Sequence, residues 1–425
     1  MPIALTTSGG GDLFPLTVNG RYLARADGQP FLVCGDTPWT IEVQLTHAQI
    51  DTYLTDRASR GFNAILFEAI EHFFSSQSPA YKNAQSAANP FTSMTDFSTT
   101  NNTYWNTVDY IVNAALARSM VCFIAPAYFG FGGGSEGWTS EITADTAGHL
   151  QSYGAFLATR YTQGNIVWVM GGDYAGTTTE RDKQWNIVTG MRSVRTGDVI
   201  TGHPARTDEN AYSKWNGYTG FNLNSLYIPT TNIADDKAAT CYGQGMPFVM
   251  IEGGYEGESG TAASIRMANY TSVLSGACGS FMGNNPVWGF GEPNANGGTG
   301  AAAVLSGSLN STAAQQFTYF VNLFAAYQWH KLVPKTDSSL VTSSLGTSGT
   351  TGRVCPALAS DGSFAMIWTP SVNVTVNMAN FTQASVRGRW YDPTAGTFST
   401  ATGSPFANSG TQTFTAPGER VLVLD

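Results

Sequence analysis

The sequence predicts an α/β protein: a (β/α)8 TIM barrel followed by a small C-terminal antiparallel β-sandwich. Three observations predict it. Short apolar runs alternate with segments of helical periodicity eight times between residues 21 and 332. Two of these runs end alike, in glycines and a carboxylate: NIVWVMGGDY over Asn165–Tyr174 and PFVMIEGGY over Pro247–Tyr255. After Lys331 the helical periodicity stops, and short β-rich runs follow, bounded by Ser, Gly, Asn and Pro.

The elements follow in order. Residues 1–20 read as an irregular lead-in. Arg21–Asp36 reads as a hairpin turned at Asp27-Gly28 that runs into the first core strand, Phe31–Cys34. Thr46 caps a helix and Gln49 completes a capping box; Ile50, Tyr53, Leu54 and Ala58 share one face, and Gly61 ends it. Strands are then expected at Phe62–Phe67, Val121–Ala125, Ile166–Met170, Val199–Thr201, Phe221–Ile228, Phe248–Ile251 and Gly279–Met282. Helical spacing between them is marked by Trp105–Leu116, Leu150–Tyr161, Trp185–Met191 and Ile265–Val273, with a last helix around Phe317–Tyr327. A doubly wound sheet is the structural alternative, but it usually carries a glycine-rich phosphate turn after its first strand, and CGDTPW is not one. The catalytic barrel is placed at 21–332 and the sandwich at 333–425, with turn signals at Asp361-Gly362 and Pro393–Gly396.

Composition narrows the function. The chain has 425 residues, a formal net charge of −9 and a pI near 5.0. No basic patch is visible, which argues against nucleic-acid binding. Charged residues are only 12%, but 42% is hydrophobic, enough for packed cores. No run is long and apolar enough to span a membrane. The first residues, MPIALTTSGGGDLFP, lack the basic and apolar regions of an export signal, so a secreted or periplasmic location is an inference only. Cys34, Cys122, Cys241, Cys278 and Cys355 have no metal-type spacing and read as buried thiols, with one disulfide as the alternative. Nothing in the sequence sets an oligomeric state.

Polar residues at strand ends carry the chemistry. Asp173 and Glu252 are expected at the C-terminal ends of the fourth and seventh strands, where barrel enzymes place catalytic groups. A pair of carboxyl groups in different environments is what glycoside hydrolysis needs: one protonates the leaving oxygen, the other attacks or activates water. The bland alternative for Asp173 is capping the next helix. Asp36 either binds sugar hydroxyls beside Trp39, an aromatic platform, or caps its own turn. His203 is a substrate contact or a structural hydrogen-bonding histidine. Glu68, Glu71 and His72 after the second strand lack metal-site spacing, so Glu68 reads as substrate-binding and no metal or cofactor is expected. Asn222 and Asn224 alternate on the sixth strand and so face one side, with Asn222 taken as the substrate contact. Tyr255 and Trp288 complete the binding set, with packing under the last loop as the alternative for Trp288. Glu256 and Glu258 read as solvated or lid residues. The competing function is a non-catalytic carbohydrate-binding or adhesion protein, which would not need both carboxylates.

These stretches resemble the apiosidase-like glycoside hydrolases of family 140. The similar segments are NGRYL…DGQPFLVCGDTPW (Asn19–Trp39), YLTDRASRGFNAI (Tyr53–Ile65), IVWVMGGD (Ile166–Asp173), GHP (Gly202–Pro204), PFVMIEGGYE (Pro247–Glu256) and WHKLVP (Trp329–Pro334). The C-terminal RGRWYDPTAGTFS…TFTAPGERVLVLD is similar to the small β-domain often fused behind such barrels and labelled collagen-binding, a label from which collagen binding is not inferred. The resemblance implies a retaining barrel hydrolase with Asp173 as acid/base and Glu252 as nucleophile, acting on a carbohydrate such as the apiose linkages of pectic side chains. A Gly-rich loop, Gly130–Trp138, and the insertion-like Asn83–Thr103 depart from the family pattern and would reshape the cleft.

Overall fold

The computed structural model describes residues 13–228 and 234–425; the lead-in expected over 1–20 falls outside them through residue 12. Eight parallel strands form a nearly closed barrel: β1 (Val33–Asp36), β2 (Ala64–Glu68), β3 (Val121–Ala125), β4 (Ile166–Gly171), β5 (Val199–His203), β6 (Asn224–Tyr227), β7 (Phe248–Glu252) and β8 (Gly279–Asn284). Ladder pairing runs in the order β5-β4-β3-β2-β1-β8-β7-β6. The seam between β5 and β6 is closed by fewer bonds. The Asn222 and Leu223 N–H groups both donate to the Ile200 carbonyl, at 3.1 and 3.2 Å, and the Ser225 hydroxyl donates to the Gly202 carbonyl.

The strands read as unbroken apolar runs because both faces are buried. Ala64, Leu66, Val121, Phe123, Val167, Val169, Val249 and Ile251 fill the barrel interior. The alternate residues, such as Ile65, Phe67, Cys122, Ile124, Trp168 and Met170, pack outward against the helices. Burying each such side chain contributes about 1.5–3 kcal/mol. The main helices are α1 (His47–Ser59), α2 (Asn102–Leu116), α3 (Ala147–Arg160), α4 (Thr178–Val194), α5 (Asp235–Gly243), α6 (Ala262–Leu274) and α7 (Thr312–Ala325). The Thr46–Gln49 capping box forms as the sequence indicates.

Some elements differ from expectation. Between β5 and β6 only a four-residue helix forms, Tyr212–Trp215, where the sequence has no sustained periodicity. β6 starts at Asn224 rather than Phe221, because the Asn222 side chain is used at the seam. The N-terminal hairpin is a three-stranded sheet, Thr17–Asn19, Tyr22–Ala24 and Pro30–Phe31, separate from the barrel. All five cysteines are buried and unpaired.

The C-terminal region is antiparallel. Its main sheet has six strands: Leu332–Pro334, Cys355–Ala359, Ala365–Pro370, Glu419–Leu424, Gly388–Asp392 and Thr397–Thr400, in that spatial order. The chain leaving the barrel is itself the edge strand, paired Leu332 to Ala359. This sheet packs directly on α6 and α7. Tyr270 stacks on Trp368 at 5.4 Å, the Tyr391 hydroxyl donates to the Tyr319 carbonyl at 2.7 Å, and Arg266 pairs with Glu419.

Candidate active site

One pocket of about 270 Å³ opens at the C-terminal mouth of the barrel. Trp39, Glu68, Tyr128, Asp173, Tyr227, Glu252 and Tyr255 line its depth, and Phe74, Phe131, Glu136, Arg206, Glu258 and Trp288 line its rim. The volume sits at the small end of ligand pockets, which run from ~300 Å³ upward.

Asp173 is aimed into this pocket by its backbone. Gly171 and Gly172 carry φ of 82° and 129°, and Asp173 itself has φ 49°. A Cβ on Gly172 would lie 2.0 Å from the Tyr128 ring, so only glycine fits beneath that wall. The left-handed Asp173 is costly for a non-glycine residue, and such conformations persist where the surroundings fix them. Two bonds to β5 do so: Gly172 N–H donates to the His203 carbonyl at 3.1 Å, and Asp173 N–H to His203 Nδ1 at 3.0 Å. Capping of α4 falls instead to Thr177, which accepts from the Glu180 N–H.

His203 therefore has its tautomer set. Nδ1 accepts the Asp173 amide, so the proton resides on Nε2. Nε2 lies 2.6 Å from Glu252 Oε2, a close contact that lacks good hydrogen-bond alignment. Glu252 Oε1 accepts from the Tyr255 hydroxyl at 2.6 Å, and that hydroxyl accepts from Trp39 Nε1 at 2.6 Å. Trp39 and His203 also meet edge to face, 5.4 Å between centroids. Trp39 is thus a buried support in a chain of contacts that ends on Glu252.

One carboxylate oxygen of Asp173, a ring nitrogen of His203 and one carboxylate oxygen of Glu252 all lie within 4.8 Å of one another. These atom types could ligate a cation. Two ligands of a tetrahedral ion at about 2.1 Å would stand roughly 3.4 Å apart, so the 2.6 Å Nε2–Oε2 approach is too close for both atoms to hold one ion. Burial, together with the charge of Glu252, pushes the Asp173 carboxyl up to about 7, against weaker opposing effects of His203, Arg206 and the Tyr128 hydroxyl. Burial opposes the charged form of His203, but the adjacent Glu252 carboxylate outweighs it and raises the imidazole's pKa.

The other predicted residues divide. Glu68 reaches the pocket, is buried, and has one oxygen with no protein partner. Burial raises its pKa well above the carboxylate range, with help from the charges of Glu71, Glu42 and Glu136. Trp288 lines the rim and donates from Nε1 to Glu258 at 3.1 Å. Asp36 does not reach the pocket. It neither caps its turn nor meets a ligand: its Oδ2 takes the Arg57 guanidinium at 2.5 Å and the Tyr53 hydroxyl at 2.6 Å, all deep behind β1. Asn222 is also placed away from the site. It accepts from the Ile200 N–H at 2.8 Å and donates to the Asp198 carbonyl at 3.1 Å, sealing the barrel seam at the entry to β5. Glu71 satisfies three backbone N–H groups, those of His72, Phe73 and Phe74, which is a structural role. Glu256 accepts from the Ala313 N–H at the start of α7. Tyr128, Arg206 and Tyr227 also line the pocket without a sequence signal, because they stand on loops or strand ends with no adjacent motif; Arg206 lies just three residues beyond His203.

The family model of the apiosidase-like catalytic domain matches residues 17–331, and that described as "Putative collagen-binding domain of a collagenase" matches 336–425. Among solved structures, the chain is similar to a family 5 glycoside hydrolase from Bacteroides vulgatus, with TM-score 0.82 at 19% identity, covering 98% of this chain and 94% of that one. A protein described as a glycoside hydrolase gives TM-score 0.80 at 20% identity, covering 97% and 96%. A Bacteroides vulgatus protein described as "a putative glycoside hydrolase" gives 0.69 at 14%, covering 98% and 83%. At these identities the likeness shows the fold. No curated protein sequence matches the chain. The fold, the pocket and a family match over most of its length together establish that the chain belongs to the apiosidase-like family of glycoside hydrolase barrels.

Proposed function

We propose that this protein is a retaining glycoside hydrolase in which Asp173 is the acid/base and Glu252 the nucleophile. The observation that carries the reading is the pair itself: two carboxyl groups on β4 and β7, with oxygens within 4.8 Å, in unlike surroundings. Retaining enzymes hold their carboxyl groups about 5–5.5 Å apart, whereas inverting enzymes leave roughly 6.5–9.5 Å for a water. Asp173, pushed up to about 7, holds a proton near neutral pH and can give it to the leaving oxygen. Glu252 accepts from the Tyr255 hydroxyl and lies against the His203 ring, surroundings suited to a carboxylate that must attack the anomeric carbon as an anion. After the leaving group departs, Asp173 is ionised and takes a proton from the water that opens the glycosyl–enzyme ester.

The substrate proposed is a neutral sugar linkage in a plant-type or microbial polysaccharide, with apiose linkages of pectic side chains as the first candidate from the family. Trp39, Tyr128, Tyr227 and Tyr255 supply ring walls for a sugar's C–H faces. Action on such a polymer would place the protein outside the cytoplasm. The test is to change Asp173→Asn and Glu252→Gln separately and assay aryl glycosides and pectic oligosaccharides. Glu252→Gln should abolish turnover of both. Asp173→Asn should spare aryl glycosides with good leaving groups more than the oligosaccharides, because only the latter need protonation. Wild-type hydrolysis by both variants would overturn the assignment.

A further inference from the structure

We propose that the Gly-rich loop Gly130–Trp138 presents Phe131 as a second sugar-binding subsite, so that the substrate is a chain of at least two rings rather than a lone glycosyl unit. This rests on the glycosidase reading above. Phe131 is 60% exposed, the most exposed of the large apolar side chains among the described residues. It nevertheless lines the same pocket as Asp173 and Glu252. An aromatic ring left in water at the lip of a binding pocket has forgone burial in the free protein and is available to a ligand.

The loop that carries it is built firmly. Trp138 N–H donates to the Tyr128 carbonyl at 2.8 Å and closes the neck. A Cβ on Gly130 would meet the Gly137 backbone nitrogen at 2.6 Å, and one on Gly137 would meet the Gly130 nitrogen at 2.2 Å, so the two strands of the neck touch backbone to backbone. Turn bonds from the Gly133 N–H to the Gly130 carbonyl and from the Gly134 N–H to the Phe131 carbonyl, at 2.9 and 3.1 Å, shape the tip. Gly133 rests on the Tyr174 ring, next to Asp173. Phe131 is therefore held outward by a fixed backbone rather than by a frayed one.

The rest of the rim offers a matching surface. Phe74 meets Trp288 edge to face at 5.2 Å, and Trp288 is pinned through Nε1 by Glu258. The deep pocket, about 270 Å³, is small for an oligosaccharide, so further rings must leave it over this rim. Sugar C–H faces stack on aromatic rings, and hydroxyls at the ring edge would reach Glu136 and Glu258 beside them.

The experiment compares wild type, Phe131→Ala and Phe131→Tyr on two probes: a methyl glycoside of the cleaved sugar and a pectic oligosaccharide ending in that sugar. Phe131→Ala should raise KM for the oligosaccharide roughly three- to tenfold with kcat unchanged, the signature of lost uniform binding, and leave the methyl glycoside untouched. Phe131→Tyr should restore the oligosaccharide KM. Identical kinetics on both probes would overturn the subsite. An equal loss on both would also overturn it, by showing that the loop shapes the inner pocket instead. If wild type cleaves neither probe nor any other glycoside, the enzymatic reading itself fails and the subsite falls with it.

Discussion

Two barrel strands run into a Gly-Asp pair, and the protein uses the two carboxylates in opposite ways. Asp36, after Gly35, is buried against Arg57 and Tyr53 and ties β1 to α1. Asp173, after Gly171-Gly172, opens on the pocket and is turned there by a left-handed backbone, where burial and the charge of Glu252 outweigh the weaker pull of His203 and Arg206. Position at a strand end is therefore not what makes a carboxylate chemical. What faces it decides: a buried guanidinium and a tyrosine hydroxyl occupy one and hold it out of the pocket, while burial beside Glu252 keeps a proton on the other.

The largest expected effect breaks this comparison at the reactive end. Asp173→Asn should lower kcat on substrates with poor leaving groups by roughly 10²–10⁴-fold, the usual worth of a positioned general acid. Steady-state kinetics on the oligosaccharide reads it, and a loss under tenfold would make Asp173 no more reactive than Asp36. The structural end breaks differently. Asp36→Asn leaves the buried Arg57 with only the partly exposed Asp56 as counter-charge, and removing one partner of a buried pair costs up to about 3–5 kcal/mol of stability. Urea unfolding should show that loss, while kcat of the surviving folded enzyme stays near wild type.

Proton linkage sharpens the contrast further. The Asp173 carboxyl moves from 3.8 to about 7 on folding, so the folded protein holds a proton that the unfolded chain has already released across that window. Stability from this group is present at low pH and is lost as pH rises toward 7. Asp173→Asn removes that loss and should raise stability at pH 8 by the order of a few kcal/mol. The same group sets an alkaline limb with a midpoint near 7 in kcat/KM. Thermal unfolding at pH 5 and pH 8, beside a pH–rate profile, tests both. A variant stabilised equally at the two pH values would contradict the assignment.

Much of this was legible in the sequence, for a physical reason. Strands buried on both faces must be nearly all apolar, so Ile166–Met170 and Phe248–Ile251 stand out, and a carboxylate at or just past their ends marks itself as costly. Helix caps such as Thr46 with Gln49 are local and readable. The errors lie where a long-range partner decides. Nothing near Asp36 announces Arg57, twenty-one residues on. Asn222 looks like a strand residue by alternation, yet its amide replaces ladder bonds at a seam that exists only once the barrel closes. Arg206 enters the pocket through loop geometry, which has no sequence period, and Tyr227 through the end of a strand whose start the sequence misplaces.

Glu68 is a further strand-end carboxyl and tests the rule at its weakest point. It has neither the cation of Asp36 nor a hydrogen-bonded frame like that of Glu252, and one of its oxygens is buried without a partner. Burial and the charges of Glu71, Glu42 and Glu136 favour its protonated form. A neutral acid facing a pocket can donate to a sugar hydroxyl as well as accept from one. If that is its use, an amide of the same shape should serve: Glu68→Gln should keep kcat/KM within about threefold, and Glu68→Ala should lose roughly tenfold, about one good hydrogen bond. Because the native carboxyl opposes folding as pH rises, Glu68→Gln should also gain stability at pH 8 relative to pH 5. A Gln variant as impaired as the Ala variant would mean that Glu68 works as an anion, and a partner for that anion would then have to come from the substrate.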